Sequence, residues 1–251
     1  MFSKEIKFIS HKDYVDLKEY HPTPIKLNIP KWYKKLHHGV LDGKILTVKG
    51  CMPFLDTLTT GYSLKVCQDI KIEHNVWNDE TMKYETYYDV GNMMEGMIMA
   101  KGLNFNFKQT SSHPAEQLGD SPANKKNKLG PFHKIMNPWI IKTPPGYSCL
   151  FLPPMNNHDD RFTIIPGIVD TDTFPSEINF PIIINGDKYK TLKTIIKQGT
   201  PYVQVIPFKR ESWKMKIEGQ DNKEFNRKKL FYPLKIIENY KTKYWSKKSW
   251  R

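Results

Sequence analysis

The sequence has few cysteines, and their placement excludes the usual cysteine-based sites. Cys51, Cys67 and Cys149 are the only three in 251 residues, they lie far apart, and none belongs to a C-x-x-C pair. An odd number of widely spaced cysteines argues against a disulfide framework and against a cysteine zinc site. We therefore expect buried, reduced thiols.

Long apolar runs are also missing. No stretch reaches the roughly 20 apolar residues that a membrane-spanning helix needs. The first ten residues, MFSKEIKFIS, have no uncharged apolar core of signal-peptide length. The sequence therefore predicts a cytoplasmic protein that does not bind membranes, located in the host cytoplasm if a phage encodes it.

Several common catalytic motifs are absent. The chain has no G-x-x-x-x-G-K-[ST] loop, no dinucleotide-binding fingerprint, no H-E-x-x-H pair and no G-x-S-x-G elbow. These absences exclude the common forms of the corresponding nucleotide-binding, metal-dependent and serine-dependent enzymes. We expect no cofactor.

Positive charge is in excess and is concentrated near the C-terminus. The chain has 39 basic and 26 acidic residues, a net charge of +13, and residues 209–251 contribute fourteen basic against five acidic residues. Such a surface attracts anionic polymers, and aromatic rings between lysines suit stacking on bases. Two interpretations stay open: weak nucleic-acid binding by this extension, or a helix after Pro233 that docks on the core through Leu234, Ile237 and Trp245.

Short apolar segments separated by proline and glycine turns dominate the middle of the chain. Tyr62, Leu64 and Val66 alternate with Ser63 and Lys65, which indicates a strand. Further strands are predicted around residues 70–76, 84–90, 138–142, 147–152, 162–165, 178–184 and 202–208. This rhythm predicts a mainly β fold, a distorted barrel or sandwich with short helices and a C-terminal helix. The polar residues 110–130 are predicted to form a long surface loop.

The N-terminal region is punctuated by prolines and is predicted to be an extended arm. Pro30 suits the first turn of a short helix through Lys31–Leu36, in which Trp32 and Leu36 share one face and would dock the arm on the core. The predicted organisation is an arm at 1–50, a core domain at 51–210 and a basic, helical extension docked on the core at 211–251.

Four segments, in this order along the chain, resemble the motifs of the dUTPase family. They are TGYSL at Thr60–Leu64, PPGY at Pro144–Tyr147, GIVDTD at Gly167–Asp172 and GTPYVQV at Gly199–Val205. Together they cover roughly residues 57–210, and the last three spacings are natural for a β-clip. The resemblance implies a dUTPase-like β-clip fold for the core.

The resemblance also implies site residues. In the family, the first acid of the third motif orients the attacking water, which here would be Asp170, and a carboxylate suits that task because it accepts the water's hydrogen bond. Gln204 would frame the base pocket, while Asp172 and Tyr62 lie in the third and first motif-like segments. The residues alone leave other interpretations open: aspartates beside Gly and Thr build Asx-turns, and Gln204 could satisfy backbone groups in an apolar strand.

The sequence departs from the family where catalysis needs charge. Ser63 stands in place of the first motif's acid, Pro154-Met155 stand near the Arg-Ser position, Thr173 replaces the tyrosine that stacks on the sugar, and no glycine-rich C-terminal arm is present. Phosphoryl transfer depends almost wholly on positioning and charge neutralisation. We therefore expect no catalytic residues and no dUTPase activity.

His113 and Glu116 are a further candidate pair. They are three residues apart in a polar segment, a spacing that can bring an imidazole and a carboxylate together on a turn. A metal site would need more ligands, for example His133 or His158. We predict a ligand-binding role for the pair and no metal.

The chain as a whole also resembles a family of proteins found in tailed phages and some bacteria. The resemblance is carried by CMPFLD at 51–56, NPWIIKTPPGYS at 137–148 and QVIPFKRE at 204–211, and it implies no settled activity. The sequence predicts a phage-type β-clip protein that binds a ligand or a protein partner without catalysis. Two alternatives stay open: a nucleotide hydrolase or deaminase relative that uses Asp170, and a virion or assembly component. An oligomer is possible, and the resemblance implies that a monomer would count against the enzyme, because β-clip nucleotide enzymes typically place their sites between three subunits.

Overall fold

A computed structural model describes residues 4–41, 45–89, 110–128, 130–219, 222, 223, 226 and 240–251. By its internal contacts the chain divides into two compact units, unit 1 with Met1–Thr23 and Gly61–Lys209, and unit 2 with Pro24–Thr60 and Arg210–Arg251. The two units do not coincide with the predicted domains 1–50, 51–210 and 211–251, because the predicted N-terminal arm is divided between the units. The domain organisation therefore stays a prediction.

The regular structure consists mostly of strands, and the predicted mainly β fold is confirmed. In the described residues the strands are β1 Lys7–Ile9, β2 Thr23–Pro24, β3 Gly39–Val40, β4 Ile45–Leu46, β5 Tyr62–Lys65, β6 Ile70–Asn78, β7 Lys83–Asp89, β8 Thr110–His113, β9 Phe132–Ile135, β10 Ile140–Lys142, β11 Tyr147–Leu152, β12 Phe162–Ile164, β13 Gly167–Val169, β14 Phe180–Ile184, β15 Leu192–Ile196 and β16 Pro201–Lys209. The α-helices in the same residues are α1 Lys12–Val15, α2 Lys31–Lys35, α3 Met52–Thr59 and α4 Pro122–Lys126, with 3-10 helices at Lys18–Tyr20, Ile25–Asn28, Val48–Gly50 and Ala115–Leu118. No helix in the described part of the chain has the length and apolar character that crossing a bilayer requires.

The largest sheet has five strands in the order β13-β11-β16-β5-β2. β16 pairs antiparallel with β11 on one side and with β5 on the other. Residues 202–205 of β16 are all buried, so the strand shows continuous burial instead of alternation. That pattern is expected of a strand covered on both faces.

Two further antiparallel sheets complete the core of unit 1. One has the strand order β12-β14-β9-β8 and the other the order β15-β6-β7. The apolar side chains of all three sheets pack into one cluster, which includes Ile72, Phe151, Ile182, Val203 and Val205. Removal of this apolar surface from water is the main force that holds the sheets together.

β5 begins at a turn that requires glycine. Gly61 has a φ of +82°, and a Cβ built on it would lie 2.1 Å from the carbonyl oxygen of Val205. A side chain would strain the backbone and would also collide with β16, which is fixed by pairing on both sides. This glycine therefore sets the close approach of β5 to β16.

The prediction of a long surface loop at 110–130 is wrong. This stretch contains β8, a 3-10 helix and α4, and two of its asparagines are buried. Asn124 Nδ2 donates to the carbonyl oxygen of Gly119 at 2.7 Å, and Asn127 Oδ1 accepts from the backbone N–H of Ile184 at 2.9 Å. Because polar side chains with backbone partners fill this part of the interior, hydrophobic periodicity gave no signal.

In unit 2, aromatic side chains join α2 to α3. The predicted helix after Pro30 is confirmed as α2. Tyr33 is buried and stacks on Phe54 with ring centroids 5.9 Å apart, whereas Trp32 contacts Phe54 edge-on and is 47% exposed. The expectation that Trp32 and Leu36 form the docking face is therefore corrected: Tyr33 is the buried anchor of α2.

The C-terminal extension is described in two parts. Residues 211–219 are extended chain without secondary structure, and Tyr240–Tyr244 form a π-helical turn. Trp245 Nε1 then donates to both carboxylate oxygens of Asp56, at 3.0 and 3.2 Å, within unit 2. The first part of the helix predicted after Pro233, with Leu234 and Ile237, lies outside the described residues, and its end is the π-helical turn Tyr240–Tyr244.

The cysteines are free, as predicted. Cys67 and Cys149 are buried, while Cys51 is partly buried. Burial raises the pKa of the Cys67 thiol to about 12 and that of the Cys149 thiol to about 11. Both buried thiols therefore stay protonated at neutral pH.

Candidate ligand-binding site

Asp172 stabilises the turn that precedes β11. Its Oδ2 accepts a hydrogen bond from the backbone N–H of Gly146 at 2.8 Å. Beside it, the hydroxyl groups of Thr143 and Thr171 lie 2.7 Å apart, and both threonines are buried. The carboxylate therefore supports a turn in another part of the chain, and the Asx-turn interpretation of its own segment stays a prediction.

Asp170 is exposed, and its carboxylate is held by a serine that sequence reasoning did not single out. Ser148, buried on β11, donates its hydroxyl to Asp170 Oδ1 at 2.6 Å. The carbonyl oxygen of Asp170 accepts from the backbone N–H groups of Thr173 and Phe174, at 3.1 and 2.9 Å. Asp170 therefore starts a turn, with its carboxylate oriented by Ser148.

Gln204 is fully buried in β16 and satisfies a backbone group. Its Oε1 accepts from the N–H of Met155 at 2.9 Å. Met155 stands near the Arg-Ser position of the second motif in the dUTPase resemblance, so the second and fourth motif-like regions meet here. They meet through a neutral amide and a backbone N–H, as the buried-amide interpretation predicts.

Tyr62 on β5 packs in the core. Its ring lies edge-to-face on Phe8, with centroids 5.5 Å apart, and it pairs with Val205 across the sheet. Burial raises the pKa of its hydroxyl. The contacts of the Tyr62 ring are those of a packing residue.

His113 and Glu116 belong to the region of the four-stranded sheet. His113 ends β8 and stacks on Phe132 with centroids 5.3 Å apart. Glu116 lies in the 3-10 helix Ala115–Leu118 and is exposed. Within the residues that the structure describes, no three His, Cys, Asp or Glu side chains are grouped as metal ligands.

The six predicted site residues therefore occupy three places. Asp170 and Asp172 share the turn next to β11, Tyr62 and Gln204 lie on the paired strands β5 and β16, and His113 and Glu116 follow β8. The structure brings together the two aspartates but does not form one site from all six. Their ligand-binding role stays a prediction.

A groove with a volume of about 630 Å³ opens on the three-stranded sheet β15-β6-β7. This volume is ordinary for a small-molecule site. Its lining combines acids with two aromatic rings, one apolar and one amide side chain and one lysine: Glu73, Asp79, Glu80, Glu85, Trp77, Tyr87, Val76, Asn78 and Lys193. None of these residues was among the predicted site residues.

The pairing of the strands places three of these side chains together on the outer face of the sheet. Lys193, Glu73 and Tyr87 lie side by side on the three neighbouring strands. The register shifts between Glu73 and Val76, so Val76 pairs with Glu85. A bulge of this kind increases the local twist and redirects side chains, and here it lies beside the groove.

Hydrogen bonds hold two carboxylates of the groove, Glu73 and Glu85, in their ionised form. Thr81 Oγ1 donates to Glu85 at 2.6 Å and Asn78 Nδ2 donates at 2.8 Å, which lowers the pKa of Glu85. Glu73 accepts from Lys71, 2.9 Å away, which lowers the pKa of Glu73. Both acids are therefore charged and oriented at neutral pH.

The aromatic rings beside these acids are open to solvent. Trp77 is 44% exposed and Tyr87 is 55% exposed. Trp77 Nε1 donates to Asp79 Oδ1 at 2.9 Å, and its ring packs edge-to-face on Tyr84, with centroids 5.2 Å apart. A ligand in the groove would meet a ring face next to a carboxylate.

A sequence signal for this groove does exist. The segment WNDE at 77–80 and the three tyrosines with Glu85 at 84–88 indicate a hairpin with acidic and aromatic side chains. The dUTPase-like motifs lie elsewhere in the chain and gave no prediction for the groove.

No protein-family model matches the chain, and no curated protein matches it.

Proposed function

We propose that the protein is a non-catalytic, phage-type β-clip protein, and that its groove on β15-β6-β7 binds a cationic ligand or the basic part of a protein partner. The observation that carries this proposal is the groove's lining of four carboxylates and two aromatic rings on a chain of net charge +13. A groove lined mainly by one sign of charge focuses the electrostatic field. It attracts cations that the rest of the surface repels.

The chemistry of the lining favours an ammonium or guanidinium group. Such a group gains about 0.5–2 kcal/mol over an aromatic face, here Trp77 or Tyr87. Charge-assisted hydrogen bonds to Glu73 and Glu85 would orient it. The exposed ion pair of Lys71 with Glu73 is of the kind that contributes about 0–1 kcal/mol, so a ligand cation can replace Lys71.

The finer fold proposal, a dUTPase-like β-clip, is supported by the topology of the five-stranded sheet. The four motif-like segments fall at the start of β5, before β11, at β13 and at β16, and these strands are neighbours in the order β13-β11-β16-β5. Segments that are far apart in sequence therefore meet in one sheet, as a shared fold would require.

The alternative of a nucleotide hydrolase has one supporting observation, the exposed carboxylate of Asp170 beside the Ser148 hydroxyl. Lys142, a basic residue near that turn, donates its Nζ to the carbonyl oxygen of Phe174 at 2.7 Å. Phosphoryl transfer needs cations directed at the phosphates. We therefore expect no pyrophosphate release from dUTP, and release that Asp170→Asn abolishes would contradict the proposal.

Thermal unfolding with matched peptides tests cation binding in the groove. The probes are Lys-Trp-Lys-amide and its acidic counterpart, acetyl-Glu-Trp-Glu. A ligand at 100 times its Kd stabilises the folded state by about 2.7 kcal/mol, and we expect this stabilisation with the basic peptide alone. The same scan with nucleotides is expected to leave the melting temperature unchanged.

Two variants localise the effect. Glu85→Gln removes a charge from the groove and should abolish most of the stabilisation by the basic peptide. Glu177→Gln removes a charge from an exposed residue outside the groove lining and should leave it intact. Equal responses of the two variants, or stabilisation by both peptides, would show that the groove is not a cation site.

A further inference from the structure

Residues 211–219 expose three large apolar side chains. Trp213 is 87% exposed, Met215 is 84% exposed and Ile217 is 87% exposed. Single exposed apolar residues are common on protein surfaces, but a contiguous set of this size marks an interaction site. The segment directly follows β16 and is extended without secondary structure.

The segment has the alternation of a β-strand. In a strand, Trp213, Met215 and Ile217 would lie on one face, and Lys214 and Lys216 on the other. Lys216 forms an ion pair with Glu218 inside the segment, but both partners are largely exposed and such pairs contribute little. A strand of this kind becomes stable when it joins the edge of a sheet.

β7 offers such an edge. Within the described residues β7 pairs on one side, with β6, and is the last strand of its sheet. The N–H and C=O groups along an edge strand are a template for another strand. The side chains of β7 alternate as well: Glu85 and Tyr87 belong to the outer face with the groove, and Tyr84, 64% exposed, lies on the other side beside Trp77.

The two strands are complementary in charge and in apolar character. If the segment pairs with β7, one side places Lys214 and Lys216 next to Glu85 and the other carboxylates of the groove. The other side then places Trp213 and Met215 next to Tyr84, which is 64% exposed. Opposite charges and aromatic neighbours on adjacent strands both stabilise a sheet.

We propose that residues 211–219 of one copy of the chain add as a strand to the β7 edge of a second copy. The inference rests on the proposed function, because it uses the acidic groove as the surface that receives the two lysines. A second copy is the partner because both complementary strands are present in this one chain. Two copies that exchange their segments reciprocally form a closed dimer with two identical contacts.

Sedimentation equilibrium of the full-length protein tests the exchange. We expect a monomer–dimer equilibrium that Met215→Pro shifts about tenfold or more toward the monomer, because proline removes a backbone donor and is excluded from paired strands. Met215→Leu is the matched control and should keep the dimer. Since residue 215 is exposed and unpaired, neither change should affect folding, and the melting temperature of the diluted monomer verifies this.

A charge exchange tests the orientation. Lys214→Glu and Glu85→Lys should each weaken the dimer when alone, and an equimolar mixture of the two variants should restore it, because each strand then meets an opposite charge. Amide hydrogen exchange of residues 84–88 gives a second measurement. Protection of these amides should rise with protein concentration in the unmodified chain and stay low in the Met215→Pro variant.

The outcomes separate this inference from the proposed function. The strand exchange is overturned if the protein stays monomeric at 100 times the concentration used for unfolding. If Lys-Trp-Lys-amide still stabilises that monomer, the groove remains a cation site. Dimerisation that Met215→Pro does not change also overturns the exchange. A third outcome refutes both the β7 docking and the proposed function. In it, dimerisation depends on residue 215 but not on Glu85, and Lys-Trp-Lys-amide does not stabilise the protein.

Discussion

The two faces of the sheet β15-β6-β7 are built from the same three strands and have opposite characters. The inner face carries Ile72 and His74, which are 1% exposed each, and Tyr88, which is 8% exposed. The outer face carries the ionised acids Glu73 and Glu85. Successive side chains of a strand lie on opposite faces of the sheet. Neighbouring residues in the sequence therefore belong one to the stabilising face and one to the binding face.

The largest expected effect is the loss of an apolar side chain from the inner face. We expect Ile72→Ala to lower the free energy of unfolding by about 2–5 kcal/mol, because it leaves a cavity in the core. Ile195→Ala, on the edge strand β15 and 42% exposed, should change it by about 0.5 kcal/mol or less. Urea unfolding of both variants measures the difference, and equal losses would refute the division between the faces.

An intermediate effect is expected from pH, because the inner face buries His74, and the partly buried His133 of β9 lies against that face. Within the described residues, His74 Nε2, His133 Nε2 and the Tyr88 hydroxyl have no hydrogen-bond partner, and the rings of Tyr88 and His133 stack. Burial, and secondarily the neighbouring His74, lowers the pKa of His133 to about 4. Burial likewise lowers the pKa of His74 from its ordinary value of 6.5.

The direction of the pH effect follows from these shifts. Burial disfavours the charged imidazoles in the folded state, while the unfolded state takes up protons below about pH 6.5. Stability is therefore highest above that pH and declines as the pH falls, for His133 by at most about 1.4 kcal/mol per pH unit down to its folded-state pKa of about 4. His133→Gln should flatten this decline in urea unfolding between pH 7.5 and 4.5. His158→Gln, which changes an exposed histidine, should not.

The smallest effect on stability is expected on the outer face. Glu85→Gln leaves one amide oxygen to accept from Asn78, and its new N–H can donate to the Thr81 hydroxyl, so the free energy of unfolding should change by about 0.5 kcal/mol or less. Its effect on binding of the basic peptide should be far larger. A loss of stability as large as that of Ile72→Ala would show that Glu85 supports the fold and would break the comparison of the two faces.

The alternation that divides the faces also determined how much of the fold was predictable. Segments with a continuous run of apolar residues between turns were predicted almost to the residue, as for β11 at Tyr147–Leu152. The stretch at 110–130 was predicted incorrectly because Asn124 and Asn127 reach the interior through hydrogen bonds to the backbone. Strands such as β15, with two exposed residues between buried ends, lacked a sufficient apolar signal.

The candidate site was less predictable than the fold. The dUTPase-like motifs predicted Asp170, Asp172 and Gln204 as site residues. In the structure, Asp170 accepts a hydrogen bond from a serine hydroxyl, and Asp172 and Gln204 each accept one from a backbone N–H. The groove depends on which residues of β6 and β7 lie opposite each other, and the register shift after Glu73 is not visible in a single sequence. The groove is assembled by the pairing of β6 with β7 and β15, which the residue types alone do not reveal.

The unequal burial of the cysteines makes the protein a convenient subject for site-selective chemistry. Thiol reagents attack the thiolate, and burial with a raised pKa suppresses that form. A maleimide dye should therefore label Cys51, the partly buried one, well before Cys67 or Cys149. Cys149 is 0% exposed on a strand paired on both sides, so its labelling rate would time the opening of the five-stranded sheet.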